Sequence, residues 1–453
     1  MYAVTNPATG ELIEEFATFT DAELEDVLAR SDAAYRSWRK TPPANRATVL
    51  RNAAGLFRER ADELAGIITL EMGKRLVESH DELSTVVDIF EYYAENGERL
   101  LQDEPITIKG GDAVIRKASI GAILGIMPWN YPYYQIARLA APNLMLGNTV
   151  VLKHSPICPR SSAAVETLLR DAGLPDGAYS NIYATDRQVA DLIADPRIQG
   201  VSVTGSERAG SAVAAEAGRN LKKYVLEMGG SDPMIVLDTD DLERTIDDAV
   251  VGRMGNMGQT CNAPKRMIVL EPLYNDFVAG LTARMAEFTP GDPAENASLA
   301  PLSSLRAADE IVAQIQDAVD KGATLHTGGQ RLPQPGAYVS PAVLTDVTAE
   351  MRAYHEELFG PAAIVFKVAD EDEAIRLAND TKYGLGSSIF TSDIDRAARI
   401  ADDIDAGMVY VNLPTGTQAD TPFGGVKRSG VGRELGPLGM DEFVNKKIVR
   451  LPK

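Results

Sequence analysis

Ala122-Ile123-Leu124-Gly125-Ile126-Met127 is an unbroken apolar run that stops at Pro128-Trp129-Asn130-Tyr131-Pro132. A short run of this kind, closed by proline, reads as a buried strand. Tyr133–Gly147 follows with helical character, and a second apolar run comes at Thr149–Leu152. Strand, helix and strand in that order form the unit of a parallel sheet, because parallel neighbours require a crossover. The alternation continues through runs at Tyr179–Tyr183, Gly200–Val203 and Tyr224–Leu226. Helical stretches at Ser161–Ala172, Gln188–Ala194 and Glu207–Arg219 lie between them. The spacing predicts an open parallel sheet with right-handed crossovers. Ligands on such sheets bind beyond the C-terminal ends of the strands. Asn130, Lys153, Gly205-Ser206 and Glu227 all fall there.

A second alternating series lies downstream. Its strands are Met234–Leu237, Met267–Leu270, Ala362–Val368, Ser387–Phe390 and Gly407–Asn412. Helices are predicted at Leu242–Gly252, Leu273–Phe288, Ser304–Lys321, Glu371–Asn379 and Asp393–Ile404. The economical reading is an α/β chain of two open parallel-sheet domains, divided near Glu227-Met228-Gly229-Gly230, with a cleft between them. Upstream, residues 3–16 read as two short strands about the Asn6–Gly10 turn. Thr20-Asp21-Ala22-Glu23 has capping-box spacing ahead of a helix to about Arg39. Pro43 opens another helix, and a third covers roughly Asp81–Leu101. Ile106–Ile115, broken at Gly110-Gly111-Asp112, reads as a hairpin standing apart from the helices.

Composition narrows the function. A chain of 453 residues with 45% hydrophobic and 24% charged residues has the make-up of a soluble globular protein of two or three domains. Its most apolar region, Gly121–Leu152, is interrupted by Pro128, Asn130, Pro132, Arg138 and Pro142, so no run reaches membrane-spanning length. The formal net charge of −20 argues against nucleic-acid or anionic-membrane partners, which favour basic patches. Two cysteines, Cys158 and Cys261, make no disulfide framework. Met1–Phe19 lacks a basic, apolar, cleavable leader, and a cytoplasmic location is expected.

Cys261 sits in Gly255-Asn256-Met257-Gly258-Gln259-Thr260-Cys261-Asn262-Ala263-Pro264-Lys265-Arg266, a polar stretch without hydrophobic periodicity. Such a loop can present a thiol to a cleft, although a free cysteine more often packs as a small apolar side chain. A thiol of pKa ~8.5 needs an activator at neutral pH. Of the four histidines, only His154 and His355 fall near strand ends. Glu227 ends an apolar run before two glycines and can act as a base directly or through water; a cap or ion-pair role is the ordinary alternative. The Asn130 amide can donate to an oxyanion or simply form a turn. Gly205-Ser206 opens a helix where phosphate can bind, yet it is neither GxGxxG nor a Walker A loop. No metal-ligand spacing is present.

Taken in order, these pieces resemble the aldehyde dehydrogenase superfamily over nearly the whole chain. The matching stretches are Pro128–Pro132, Lys153-His154-Ser155, Thr204-Gly205-Ser206, Glu227–Gly230, Gly258–Cys261, Glu356–Pro361 and Pro422–Gly430. The resemblance implies that Cys261 is the nucleophile, Glu227 the general base, and Asn130 with the Cys261 backbone N–H the oxyanion hole. It implies a nicotinamide dinucleotide lined by Trp129, Asn130, Lys153, Ser155, Pro156, Gly205, Ser206 and Met228, with Glu357 and Phe359 at its nicotinamide ribose. Phe423 would wall the aldehyde tunnel. It also implies a dinucleotide-binding domain (1–105 and 117–227), a catalytic domain (228–432) and a small β oligomerisation element (106–116 and 433–453), hence a homodimer or homotetramer.

Within the family the chain is most similar to the succinate-semialdehyde dehydrogenase branch, on its short N-terminus, Lys153-His154-Ser155, and Arg138. An arginine at the matching position there holds the substrate's distal carboxylate, a task suited to a bidentate guanidinium. One departure is Thr417-Gln418-Ala419-Asp420, where that branch often has Ser-Asp-Pro-Arg; Thr417 keeps a hydroxyl for the substrate. Another concerns the cofactor. NAD-preferring relatives place a glutamate three residues after the lysine, and here Pro156 stands there, so NADP or dual use of NADP and NAD is expected. Rival readings are an aldehyde dehydrogenase for another small aldehyde, a cysteine esterase or acyl-transferase, and a non-catalytic binding protein on the same fold.

Overall fold

The computed structural model describes residues 1–451, and two parallel sheets dominate it. Ala122–Met127 lies at the middle of the first sheet, flanked by Thr149–His154 and Tyr179–Ile182 on one side and by Ile198–Thr204 and Lys223–Glu227 on the other. All four pairings among these five strands are parallel. The chain leaves Ala122–Met127 in one direction and later returns to its other flank. This reversal opens a crevice at the strand C-terminal ends. A short strand at Gly430–Val431 pairs antiparallel with Lys223–Glu227 and closes that edge.

The second sheet runs Thr324–Thr327, Ala342–Thr345, Ala362–Val368, Pro264–Leu270, Asp232–Val236, Gly386–Phe390 and Met408–Val411, with only the first strand antiparallel. Each sheet is covered on both faces by buried apolar side chains, which is why its strands read as continuous hydrophobic runs. Leu385, Met408 and Phe423 extend the largest of these clusters from the first sheet toward the second. A third, antiparallel sheet joins Glu104–Ile108, Gly111–Ser119 and Val444–Leu451. Residues 452 and 453, which the sequence groups with this last element, lie outside the described residues. Among the described residues no helix is long and apolar enough to cross a membrane.

Local signals explain most boundaries. At Thr20 the predicted capping box forms: Glu23 N–H donates to the threonine hydroxyl and the Glu23 carboxylate accepts from Thr20 N–H at 2.7 Å. Pro132 opens the helix Pro132–Leu146 at a position where no backbone donor is needed. Two helical features depart from the sequence reading. A helix at Ala61–Met72 was not anticipated, and the helix expected from Asp81 begins at Leu76. The two are separated only by Gly73-Lys74-Arg75, and the Lys74 cation is buried against Glu82. A lysine that looks solvated in sequence is therefore a core residue, and its charge hides the helical pattern. The edge strands Thr324–Thr327 and Ala342–Thr345 are four residues each, too short to show a period.

Candidate active site

The segment carrying Cys261 is a strained turn between a helix, Leu242–Met254, and a strand, Pro264–Leu270. Asn256, Met257 and Gly258 take left-handed backbone angles, with φ of 50°, 53° and 74°. Glycine tolerates this, but asparagine and methionine do so at a cost of about 1–3 kcal/mol each. The surroundings over-determine the turn. Asn256 Nδ2 donates to Asn130 O (2.9 Å), Asn256 N–H donates to Glu78 Oε1 (2.9 Å), and Gln259 Oε1 accepts from Ser303 N–H (2.9 Å). Bonds from three other parts of the chain thus hold this polar segment in place.

Cys261 lies half-buried at the wall of a cavity of about 510 Å³, which Tyr131, Tyr134, Thr417 and Phe423 also line. Burial pushes its thiol up to about 12, opposed by the nearby Arg138 and Lys265 cations. No histidine serves it. His154 is buried, accepts Ser155 N–H at Nδ1 (2.8 Å), and contacts Pro132 O through Nε2 (3.1 Å). That burial pulls its pKa down to about 4, so the ring is neutral. His355 is exposed and bonded to Ala349 O. Cys158 is fully buried, its Sγ 3.9 Å from Trp129 O, and packs as an apolar residue.

Glu227 ends the strand Lys223–Glu227 with its carboxyl buried against Gly424, one residue beyond the cavity-lining Phe423. Among the described residues neither carboxyl oxygen has a hydrogen-bond partner. Burial, reinforced by Glu434 and Glu442, raises its pKa well above the usual carboxylate range, while Arg138 and Arg433 act in the opposite direction. Such a group takes up a proton more readily than an ordinary carboxylate, as a general base must. Asn130 is buried with Nδ2 donating to Gln259 O (3.1 Å), two residues before Cys261, so one amide N–H fixes the side chain and the other is left for a ligand.

The residues expected around a dinucleotide come together from distant parts of the chain. The Trp129 and Phe359 rings meet edge to face, 5.7 Å between centroids. Glu357 reaches across to accept from Gly230 N–H (3.1 Å) and packs so closely on Gly229 that a Cβ there would collide with its carboxylate. Thus the glycine pair after Glu227 admits a carboxylate from the second sheet. At the other end Lys153 stands above the Tyr2 ring (5.8 Å), and Pro156 O accepts from Ala3 N–H. Ser206 caps the helix Glu207–Arg219, while the space where a Cβ of Gly205 would stand is clear to 4 Å. Open backbone at a helix N-terminus, a lysine with no ion pair among the described residues and two aromatic rings meeting edge to face fit a dinucleotide. Among the described residues no group of three potential metal ligands occurs.

Arg138 differs from expectation. It is about 1% exposed and does not line the cavity. Its Nε pairs with buried Glu434, and Nη2 donates to Thr204 Oγ1 (2.8 Å). Only Nη1 faces the cavity side, donating to Tyr134 Oη (3.3 Å), which in turn donates to Thr417 Oγ1 (3.5 Å). A bidentate grip on a substrate is not offered in this arrangement, because two edges of the guanidinium are already occupied. Sequence reasoning missed Tyr134 and Glu434. Tyr134 was within reach, since it stands one helical turn before Arg138 and shares its face; Glu434 carries no local signal.

With this geometry in hand, comparisons with known proteins agree with one another. The profile of the aldehyde dehydrogenase family matches residues 1–449. The succinate-semialdehyde dehydrogenase [NADP(+)] of Deinococcus radiodurans is 54% identical, covering 99% of this chain and 94% of that protein. Succinate-semialdehyde dehydrogenase [NADP(+)] 1 of Mycobacterium tuberculosis is 42% identical, over 99% of both. The crystal structure of succinic semialdehyde dehydrogenase from Streptococcus pyogenes with NADP+ superposes with a TM-score of 0.98, at 41% identity and full coverage of both chains.

Proposed function

The chain belongs to the aldehyde dehydrogenase family, and from that premise we propose that it oxidises succinate semialdehyde to succinate with NADP, or with NAD, as hydride acceptor. The observation that carries the substrate assignment is the Tyr134–Thr417 hydroxyl pair on the cavity wall, backed by the Arg138 cation. These groups suit an aldehyde with a carboxylate at its far end. Identity to the succinate-semialdehyde dehydrogenases named above supports the same reading.

Trp129, Lys153, Ser155, Pro156, Gly205, Ser206, Met228, Glu357 and Phe359 would hold the dinucleotide, with Asn130 beside its nicotinamide. When bound, the nicotinamide supplies the hydride acceptor. The chain's own residues do the rest. Cys261 Sγ adds to the aldehyde carbon as its proton passes to Glu227 or to water. The oxyanion so formed is held by the free Asn130 amide N–H and the Cys261 backbone N–H. Loss of hydride from the adduct leaves a thioester on Cys261. Glu227 then takes a proton from water, hydroxide adds to the thioester, and the acid departs as the thiol is restored.

Because Arg138 reaches the cavity only through Tyr134, the carboxylate assignment predicts that Arg138→Ala lowers kcat/KM for succinate semialdehyde about tenfold more than for a neutral aliphatic aldehyde, the worth of one ordinary hydrogen bond. The neutral aldehyde corrects for disturbance of Glu434 and Glu227. Equal losses on both substrates would remove the assignment. For the cofactor, Pro156 brings no carboxylate to repel a 2′-phosphate, and Lys153 and Ser155 are its expected partners. Steady-state kinetics on an aldehyde panel with both cofactors should give an NADP efficiency comparable to or above that for NAD. An NADP efficiency more than about a hundredfold below it, some 2.7 kcal/mol, would refute the preference.

A further inference from the structure

Two buried cations outside the reacting groups tie together the same pair of loops. Lys265 has a fully buried side chain; its Nζ donates to Thr260 O (2.9 Å) and Cys261 O (2.6 Å) and pairs with Glu357 Oε1 (3.1 Å). An ammonium has three donors, so two are spent on the nucleophile's own backbone and one on the facing loop. Arg253 is equally buried. Its Nη1 donates to Gly258 O (3.3 Å), Nη2 to Leu358 O (2.8 Å) and Gly360 O, and Nε to Ala362 O (2.6 Å). Among the described residues no carboxylate forms an ion pair with it, so the guanidinium is satisfied by carbonyls alone. Burying a charge without a counter-ion is expensive, and here four carbonyls share it, one from the nucleophile loop, two from the loop 356–361 and one from the strand that follows it.

We propose that Lys265 and Arg253 are positioning residues that brace the nucleophile loop, 255–261, against the loop 356–361, fixing Cys261 relative to Glu357 and Phe359. The proposal rests on Cys261 as nucleophile and on Glu357 and Phe359 as nicotinamide-side contacts. Neither cation touches a reacting atom. Arg253 binds carbonyls on both loops, Lys265 binds carbonyls on the nucleophile loop and the Glu357 carboxylate on the other, and the left-handed turn at Asn256–Gly258 needs such a fixed frame. A brace matters most in the step where both loops act together, which is hydride loss from the thiol adduct. Displacement of a reacting group by about 1 Å can cost on the order of a hundredfold in rate.

The two cations are separable by their effect on the thiol itself. Cys261 is faced by Arg138 from the helix Pro132–Leu146, by Lys265 from its own strand, by Glu357 from the opposite loop and by Asp232 from the neighbouring strand. Tyr131 and Tyr134 stand on the cavity wall. The cations favour thiolate and the carboxylates oppose it. Lys265 belongs to this set; Arg253 acts through the backbone alone.

The test uses the full chain with Lys265→Met, Arg253→Met, Lys265→Arg and Arg253→Lys. Three quantities are measured: first-turnover formation of reduced nicotinamide at saturating aldehyde, KM for the aldehyde, and alkylation of cofactor-free enzyme by iodoacetamide from neutral to alkaline pH. Both methionine variants should slow the first turnover by about ten- to a hundredfold with KM changed less than about threefold. Lys265→Met should also slow alkylation by about tenfold at a given pH, one unit of thiol pKa, and Arg253→Met should leave alkylation unchanged. Lys265→Arg and Arg253→Lys should recover part of the first-turnover rate without reaching that of the parent. Parent-like first turnover in either methionine variant overturns the brace, as does unaltered alkylation of Lys265→Met. If a methionine variant does not fold, the conservative variant decides, and a full parental rate there also overturns the proposal. If the parent enzyme shows no aldehyde-dependent reduction, the functional reading fails, and alkylation still reports on Lys265.

Discussion

Cys261→Ala is expected to lose aldehyde oxidation by about 10⁴-fold or more, the scale seen when a covalent nucleophile is removed. Binding of NADP, followed by quenching of protein fluorescence, should persist. No other group can take over. Cys158 is fully buried, with its thiol pushed up by burial beneath the Trp129 loop, and the Thr260 hydroxyl is engaged by Tyr131 Oη at 2.9 Å. Because Asn130 and the loop carbonyls are held by groups other than the thiol, the substitution should leave the cavity intact. Measurable steady-state turnover in this variant, beyond contamination by parent enzyme, would exclude a covalent thiol mechanism.

Glu227→Gln is expected to separate the two halves of the reaction. The thiol can still add and hydride can still leave, so the first turnover should yield a burst of reduced nicotinamide approaching one per chain. Release of the acid then waits for water without a base, and steady-state turnover should fall about 10²–10⁴-fold. The pH dependence follows from the raised carboxyl pKa. Ionised Glu227 is the active base, so kcat of the parent should fall as pH drops through that raised value and increase above it, with the limb lying well above pH 4.5. In the glutamine variant this limb should vanish. A burst-free variant with parental turnover would remove Glu227 from deacylation.

The wide alternation of apolar runs and helical stretches made the two parallel sheets legible, because strands buried on both faces stay hydrophobic along their whole length. Ala362–Val368, Glu371–Asn379 and Glu207–Arg219 match the expected spans end to end. The two helical elements hidden from that reading share a reason. The helix Ala61–Met72 and the start at Leu76 flank Lys74, whose charge is buried against Glu82 and whose ammonium lies 3.7 Å from the Tyr131 ring centroid. Polar residues that are buried because a partner arrives from elsewhere look like surface residues in one dimension.

The same limit applies to the candidate site. Sequence by itself determined which residue types stand at the strand ends: the thiol in its polar loop, the glutamate before two glycines, the asparagine after Pro128-Trp129. These are local facts, set by strand length and turn chemistry. Only the tertiary structure decided how they are held. It occupied two edges of the Arg138 guanidinium with Glu434 and Thr204, placed Tyr134 between that cation and the cavity, set Glu357 against Gly229, and joined two loops through Lys265 and Arg253. Apart from the Arg138–Tyr134 contact within one helix, those pairings link positions about 70 to nearly 300 residues apart. Desolvation and charge pairing act through space, and spacing along the chain carries no record of which buried charge will meet which.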